Sequence, residues 1–440
     1  METRKPITRR SFGKLALASG AAYAAGPALN VLGANEKILM GTVGCSGRGF
    51  EDMRNFMRNG AQFIAVCDVD QERLARGQEL AGGEHVATYK DFRNLIERND
   101  IDAVLVATPD HWHALPFITA CQAGKDVYVE KPLSVTIYEG QKMIEAARKY
   151  KRVSQCGTQQ HSGPHYREAV QLLHEGHIGR ITKVMCWNWG NGGGMGKAAY
   201  QDPPKQLDWD FWLGPTPEGP YFPQRCHGGF RFFWNTSGGT LTDWGTHHFD
   251  IIQWALQENW PQSISAEGGK LALDDCRETP DTMDVIYRYK NSVVQFSLRS
   301  GSAHDPGHPY KVPGTWRGYG IEFYGSKGTL FIDRNRYEIW PEEGDFGKGV
   351  EQVEKMNSNR EVDMDDNHVN DFMNNIKTRG RCVCDVEVCH RATGACHLGN
   401  IAYRSGERIV WDGEKERIDN HKNLNSWLKR KYRKPWKLVV

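Results

Sequence analysis

Three residues far apart in the 440-residue chain carry side chains that can move a proton or steady a negative charge: Lys131, Asp243 and His247. Lys131 follows the apolar run Val127-Tyr128-Val129 and the acid Glu130, and Pro132 comes directly after it. Proline fixes its own φ and restricts the residue before it, so the Lys131 backbone is held with its amine aimed off a strand end. Asp243 and His247 stand four apart in Gly238-Gly239-Thr240-Leu241-Thr242-Asp243-Trp244-Gly245-Thr246-His247-His248, so on a helix they share a face. A histidine tuned by an aspartate suits proton transfer near neutral pH. Beside such a pair, a nearby ammonium stabilises negative charge that develops on an oxygen as its proton leaves. The plainer alternative is an acid at a helix start beside a packed histidine. Zinc would also accept a histidine and a carboxylate, but no further ligand follows at helical spacing, and no metal site is assigned.

The elements needed to position these groups are legible on either side. Ile38 to Val43 is a short apolar run, Gly44-Cys45-Ser46-Gly47-Arg48-Gly49 follows, and Phe50 to Arg58 has helical character. This is a dinucleotide fingerprint with Ser46 at the middle glycine. Small residues there allow the tight turn and bring backbone N–H groups to a pyrophosphate at a helix N-terminus. A second apolar run, Phe63 to Cys67, ends in Asp68, nineteen residues past Gly49. An acid at that place accepts hydrogen bonds from ribose hydroxyls and repels a 2′-phosphate, which favours NAD over NADP, although Arg48 and Arg73 keep NADP open. Ala103 to Ala107 ends in Thr108-Pro109-Asp110, and Asp126 to Val129 ends in Glu130-Lys131-Pro132. Strands alternating with helices predict a parallel sheet covered on both faces, whose ligands bind beyond the carboxyl ends of the strands.

Taken together, the glycine turn, Asp68, Thr108-Pro109 with His113, Glu130-Lys131-Pro132 and the Gly238–His248 motif resemble the Gfo/Idh/MocA oxidoreductases. The resemblance runs from about residue 36 to the C-terminus. It implies a nicotinamide cofactor held by Gly44, Ser46, Gly47, Arg48, Gly49, Asp68, Thr108, Pro109, His113, Glu130, Lys131 and Pro132. The nicotinamide would lie between two domains. Lys131 would hold or polarise the reacting hydroxyl, His247 would be the general acid/base, and Asp243 would bind a neighbouring hydroxyl and orient the histidine. The implied substrate is a sugar, glycoside or cyclitol, and the implied assembly is a homo-dimer or homo-tetramer built through the second sheet. Two alternatives stay open: a redox-neutral glycoside hydrolase or lyase working by transient oxidation, and a non-catalytic saccharide-binding protein that retains NAD. The glycosidase branch of the family lacks the Glu-Lys-Pro element, so Glu130-Lys131-Pro132 favours the dehydrogenase.

Strand-like runs return at 184–189, 282–289, 293–298, 321–324 and 328–332. The run 293–298 alternates, with Val294, Phe296 and Leu298 on one face, which suits a largely antiparallel open sheet in an α+β domain. The expected division is a signal segment at 1–34, a Rossmann domain at 35–157, an α+β substrate domain at 158–404 and a basic aromatic tail at 405–440. The stretch 367–404 is expected to be helical and to pack back on the first domain. Much of the aromatic excess (14 tryptophans) lies between Trp187 and Trp244, where most rings should pack their own Gly/Pro-rich loop and a few should line a pocket. Gln159, Gln160, His161, Tyr166 and Arg231 are further pocket candidates.

The N-terminus carries a pattern that resembles an export signal, the plainer alternative being a loose basic end. Arg9-Arg10 precedes Phe12 and an uncharged, weakly apolar stretch from Leu15 to Ala34, which resembles a twin-arginine signal and predicts a periplasmic or otherwise exported protein. Gly20, Gly26 and Pro27 interrupt that stretch, so stable membrane insertion is not expected. A formal charge of +2 gives no reason to expect nucleic acid. The 11 cysteines include Cys382, Cys384, Cys389 and Cys396, in surroundings that suit buried thiols better than a metal knuckle.

Overall fold

The computed structural model describes residues 37–190, 193–301, 318–356 and 360–440. The segment expected to direct export lies outside them. Among the described residues no helix is long and apolar enough to cross a membrane.

The first sheet has six parallel strands: β1 (Leu39–Val43), β2 (Gln62–Cys67), β3 (Ala87–Tyr89), β4 (Ala103–Val106), β5 (Asp126–Val129) and β6 (Ser154–Cys156). Their order is β3-β2-β1-β4-β5-β6, so the chain reverses its direction of travel between β1 and β4, where such sheets open a crevice. Side chains alternate across the sheet. On β4, Val104 and Val106 join one core with Phe117 and Met143, while Ala103 and Leu105 join the other with Phe56 and Phe372. The covering helices include α1 (Gly47–Arg58), α2 (Gln71–Ala81), α3 (Ala114–Gln122) and α4 (Ile137–Lys149).

Helix α5 (Pro164–His174) leads into the second sheet, made of β7 (Ile181–Trp189), β8 (Ser263–Gly269), β9 (Thr282–Arg288), β10 (Val293–Arg299), β11 (Tyr319–Gly325), β12 (Gly328–Ile332), β13 (Arg336–Pro341), β14 (Val353–Met356), β15 (Ile409–Asp412) and β16 (Arg417–Ile418). The order is β14-β13-β12-β11-β7-β10-β9-β8-β15-β16. Only β7 and β10 pair in parallel. One face packs on α6 (Gly239–Leu256) and α8 (Val386–Ser405), with Phe249, Ile252, Phe296, Ile321, Leu398 and Ala402 in one core. This is the α/β Rossmann-type parallel sheet followed by a largely antiparallel α+β unit that the apolar runs predict.

The late helical stretch is broken. Helix α7 (Arg360–Thr378) ends before Arg379, which takes a left-handed φ of 57°, and the chain turns before α8 begins. Phe372 and Ile376 of α7 seal one face of the first sheet, and Val386 and Cys389 of α8 reach the other. All 11 cysteines are free thiols, and Cys382, Cys384, Cys389 and Cys396 are buried. The basic tail is docked. Arg430 donates to Glu139 Oε1 (2.8 Å) and to the His111 carbonyl (2.7 Å), and Trp436 packs edge-on to Trp112 at 4.8 Å.

Candidate active site

The crevice at the strand ends opens into a cavity of about 770 Å³, lined by both sheets' elements. Its first wall is mostly backbone. Gly44 sits at φ +101°, and a Cβ there would lie 2.5 Å from the Ala107 carbonyl oxygen, so only glycine lets the turn cross the end of β4. A Cβ on Gly49 would meet the Gly44 oxygen at 2.5 Å, so Gly49 sets the close fit of α1 on the turn, not the cavity lining. Helix α1 has no acid in its first turn, and Ser46 makes no side-chain cap. Its N-terminal N–H groups and the serine hydroxyl are thus available to an anion.

Asp68 Oδ2 accepts the Cys45 N–H (2.7 Å) and Oδ1 accepts the Asp70 N–H (2.9 Å). The carboxylate braces the glycine turn and retains lone pairs toward the cavity it lines. Burial pushes this carboxyl up, and the two N–H groups with Arg73 work against that. Arg48 is committed elsewhere: it pairs with Asp52 (2.8 Å), Asp365 (3.1 Å), Glu51 (3.2 Å) and Glu130 (3.5 Å). A guanidinium shared by four carboxylates is a poor receptor for a further phosphate, which weakens the case for NADP. Thr108 and Pro109 line the cavity, and Thr108 Oγ1 is buried without a partner. The turn that excludes a Cβ, the uncapped helix, the bracing acid and this orphaned hydroxyl fit a dinucleotide.

His113 and Pro132 correct the expected contact set. Neither lines the cavity. His113 Nδ1 lies 2.7 Å from the Pro132 carbonyl and Nε2 lies 2.9 Å from the Thr108 carbonyl, so the ring ties the end of β4 to the end of β5. Glu130 lines the cavity, but its Oε1 already accepts from Gln159 Nε2 (3.1 Å) and faces the Arg48 charge at 3.5 Å.

The second wall is made of charged side chains. Gly239 opens α6 at φ +72°, another backbone conformation that favours glycine. Lys131 Nζ donates to Asp243 Oδ1 (2.6 Å) and to the Asp243 carbonyl (2.9 Å), which joins β5 to α6 across the crevice. Arg231 Nε donates to the same Oδ1 at 3.2 Å. Burial alone would push the Asp243 carboxyl up, but Lys131 and Arg231 outweigh it and hold it down at about 2. Asp243 is therefore ionised at any working pH.

His247 is buried and lines the same cavity. Burial first, then the charges of Lys131 and Arg334, hold its imidazole well below the ordinary value, so it is neutral. Its Nδ1 has no partner, and Arg334 Nη2 approaches Nε2 at 3.5 Å. A guanidinium can only donate, so this approach fits the tautomer in which Nε2 is unprotonated and able to take a proton. Trp244 lies between these groups, 5.8 Å from Lys131 Nζ and 5.0 Å from the Arg334 guanidinium. Arg334 is the residue the sequence pattern misses. It stands in the turn between β12 and β13, where no local motif marks it.

Of the other pocket candidates, Gln159, Gln160 and Arg231 line the cavity. His161 and Tyr166 do not: His161 stacks on Trp254 at 4.0 Å and meets Asp250 Oδ1 at 3.0 Å, and Tyr166 is wholly buried. Trp112, Phe211, Trp212 and Phe230 supply aromatic lining. Within the aromatic loop, Trp209 stacks on Trp212 at 4.7 Å, and Tyr221 packs edge-on to Trp209 at 5.2 Å.

A Rossmann sheet with a dinucleotide crevice, closed by a lysine, an aspartate and a histidine, defines a nicotinamide-dependent oxidoreductase. Sequence comparison agrees. Residues 38–158 match the oxidoreductase family's NAD-binding Rossmann fold, and residues 172–311 match that family's C-terminal alpha/beta domain. These two matches together span more than half of the chain, which belongs to the Gfo/Idh/MocA oxidoreductases. The myo-inositol 2-dehydrogenase of Thermotoga maritima is 26% identical over 318 residues, 70% of this chain and 80% of that protein. Inositol 2-dehydrogenase 3 of Saccharopolyspora erythraea is 32% identical over 152 residues, 34% of this chain and 44% of that protein. A levoglucosan dehydrogenase solved with NADH and levoglucosan shares the fold at a TM-score of 0.65 and 16% identity, over 85% of this chain and 99% of that one.

Proposed function

We propose that the chain oxidises a hydroxyl of a sugar or cyclitol with NAD. The observation that carries this reading is the meeting of Lys131, Asp243 and His247 at the end of a cavity whose other wall fits a dinucleotide. Bound there, the nicotinamide supplies the two-electron acceptor for hydride leaving a carbinol carbon. Lys131 donates to the carbinol oxygen and stabilises the negative charge that grows on it. His247 Nε2 takes the hydroxyl proton, which its neutral state permits. Asp243 fixes the ammonium and accepts from a neighbouring hydroxyl. The names of the inositol and levoglucosan dehydrogenases support polyol or sugar as the substrate class.

Export by the twin-arginine route belongs to the same proposal and is supported by Arg9-Arg10, Phe12 and the uncharged stretch behind them. Twin-arginine substrates travel folded, so NAD loaded in the cytoplasm would be carried across and held tightly. Assembly into a homo-dimer or homo-tetramer rests on family resemblance, and analytical ultracentrifugation tests it. The catalytic reading is tested by denaturing the purified protein, analysing released nucleotide and screening sugars and cyclitols for reduction of NAD. Nucleotide-dependent oxidation that disappears in His247→Gln is expected. Cleavage of an aryl glycoside without net redox would overturn it.

A further inference from the structure

The cations of the second wall are not equivalent. Lys131 and Arg231 share Asp243. Arg334 has no carboxylate partner among the described residues; its contacts are the faces of Trp244 (5.0 Å) and Tyr319 (5.9 Å) and the long approach to His247 Nε2. Its Nε is buried with no acceptor. The turn that presents it is built for the purpose: Asp333 Oδ1 accepts the N–H groups of Asn335 (2.6 Å) and Arg336 (2.9 Å), leaving Arg334 at the tip facing the cavity. A second unspent donor stands beside the same ring. Gln160 is 1% exposed, and its Oε1 receives the Tyr319 hydroxyl at 2.7 Å, which fixes the amide so that Nε2 is its remaining donor. Nε2 has no partner, and Gln160 lines the cavity.

Two donor atoms without protein acceptors, Arg334 Nε and Gln160 Nε2, leave this corner open to oxygen acceptors from a ligand. The cofactor's diphosphate is served by the glycine turn and the N-terminus of α1, so it does not meet this need. Building on the proposed oxidoreductase reading, we infer that Arg334 and Gln160 form an anion subsite and that the substrate is a sugar carrying a carboxylate. The guanidinium fork matches a planar carboxylate with two parallel hydrogen bonds, and the amide adds a third. The subsite also bears on the chemistry. Arg334 is one of the charges that hold His247 down. A carboxylate on Arg334 offsets that charge and leaves the imidazole a stronger base only when the acidic substrate is seated.

The test uses the full chain loaded with NAD. Calorimetry compares the methyl glycosides of glucuronate and galacturonate with those of glucose and galactose, with the uronamides, and with glucose 6-phosphate. At least one uronate is expected to bind on the order of 30-fold more tightly than its neutral counterpart and its amide. Arg334→Gln should bring acid and amide within about threefold, and Arg334→Lys should keep part of the preference, since it retains charge without the fork. Circular dichroism confirms that each variant is folded. Equal binding of acid and neutral glycosides, binding of neither uronate, stronger binding of the phosphate, or a preference that survives in Arg334→Gln would overturn the subsite. Failure of the underlying reading looks different: no bound or titratable NAD, or turnover that persists in His247→Gln.

Discussion

The two walls of the crevice reach the same end by different means. On the Rossmann wall the recognition groups are backbone N–H donors, one bracing carboxylate and a turn whose Gly44 lies too close to β4 for a Cβ. On the α6 wall they are side chains, drawn from the end of β5, the Phe230–Arg231 segment, the start of α6 and the β12–β13 turn. A backbone cradle binds tightly and barely changes as a reaction proceeds. A cluster of ionisable groups can move protons, but its balance depends on each partner. Damage to the first wall should therefore show as lost cofactor affinity, and damage to the second as lost turnover with cofactor still bound.

The largest expected effect is on the second wall. His247→Gln and Lys131→Met should each lower kcat by about 10²–10⁴-fold, the range for a positioned acid/base or an oxyanion-stabilising donor. Equilibrium binding of NAD should change little in His247→Gln, and a matching loss of NAD affinity there would break the distinction between the walls. Next comes Gly44→Ala. Its methyl meets the Ala107 carbonyl at 2.5 Å in a left-handed backbone, so a cost of about 2–4 kcal/mol is expected, read as a lower Tm and at least tenfold weaker NAD binding.

Acid should unfold the protein before it disables the site. Burial holds His111, His248 and His368 near 3 and His397 near 4. Unfolded histidines take up protons below about 6.5, and these rings cannot while folded. Stability is therefore intact above that pH and is lost as pH falls toward 4, at up to about 1.4 kcal/mol per pH unit for each ring. Thermal melts across this window check the sign, and a Tm that rises toward pH 4 would contradict it. The smallest effect is at Asp68. Replacing it with Asn removes the charge facing the 2′ position but keeps an acceptor for the Cys45 N–H, so the preference for NAD over NADP should relax about tenfold, as measured by the two Kd values.

What the sequence reveals follows the same division. The glycine turn, Asp68, Thr108 and Lys131 are readable because each sits at a strand end marked by a local apolar run. Asp243 and His247 are readable because helical spacing links them. Arg334 reaches His247 across 87 residues through pairing in the second sheet, and nothing near it in the chain announces that meeting. His113 carries a family motif yet works behind the wall, because its two ring nitrogens are engaged by carbonyls of neighbouring strand ends. His161 and Tyr166 look like pocket residues from their position after the Rossmann unit, but packing against Trp254 and within the core takes both. The break at Arg379 does carry a local mark that a single helical reading of 367–404 passes over: Gly380 follows it, and Asp385 caps α8 by accepting the Glu387 N–H.

The central claim is that Lys131 and His247 serve one hydroxyl. A double-mutant cycle on kcat/KM, using Lys131→Met, His247→Gln and the pair, addresses it, with NAD affinity measured for each variant. Groups acting on the same oxygen should be strongly non-additive, with the double variant about as slow as the slower single one. Losses that simply multiply would mean that the two side chains act independently, and would contradict the account.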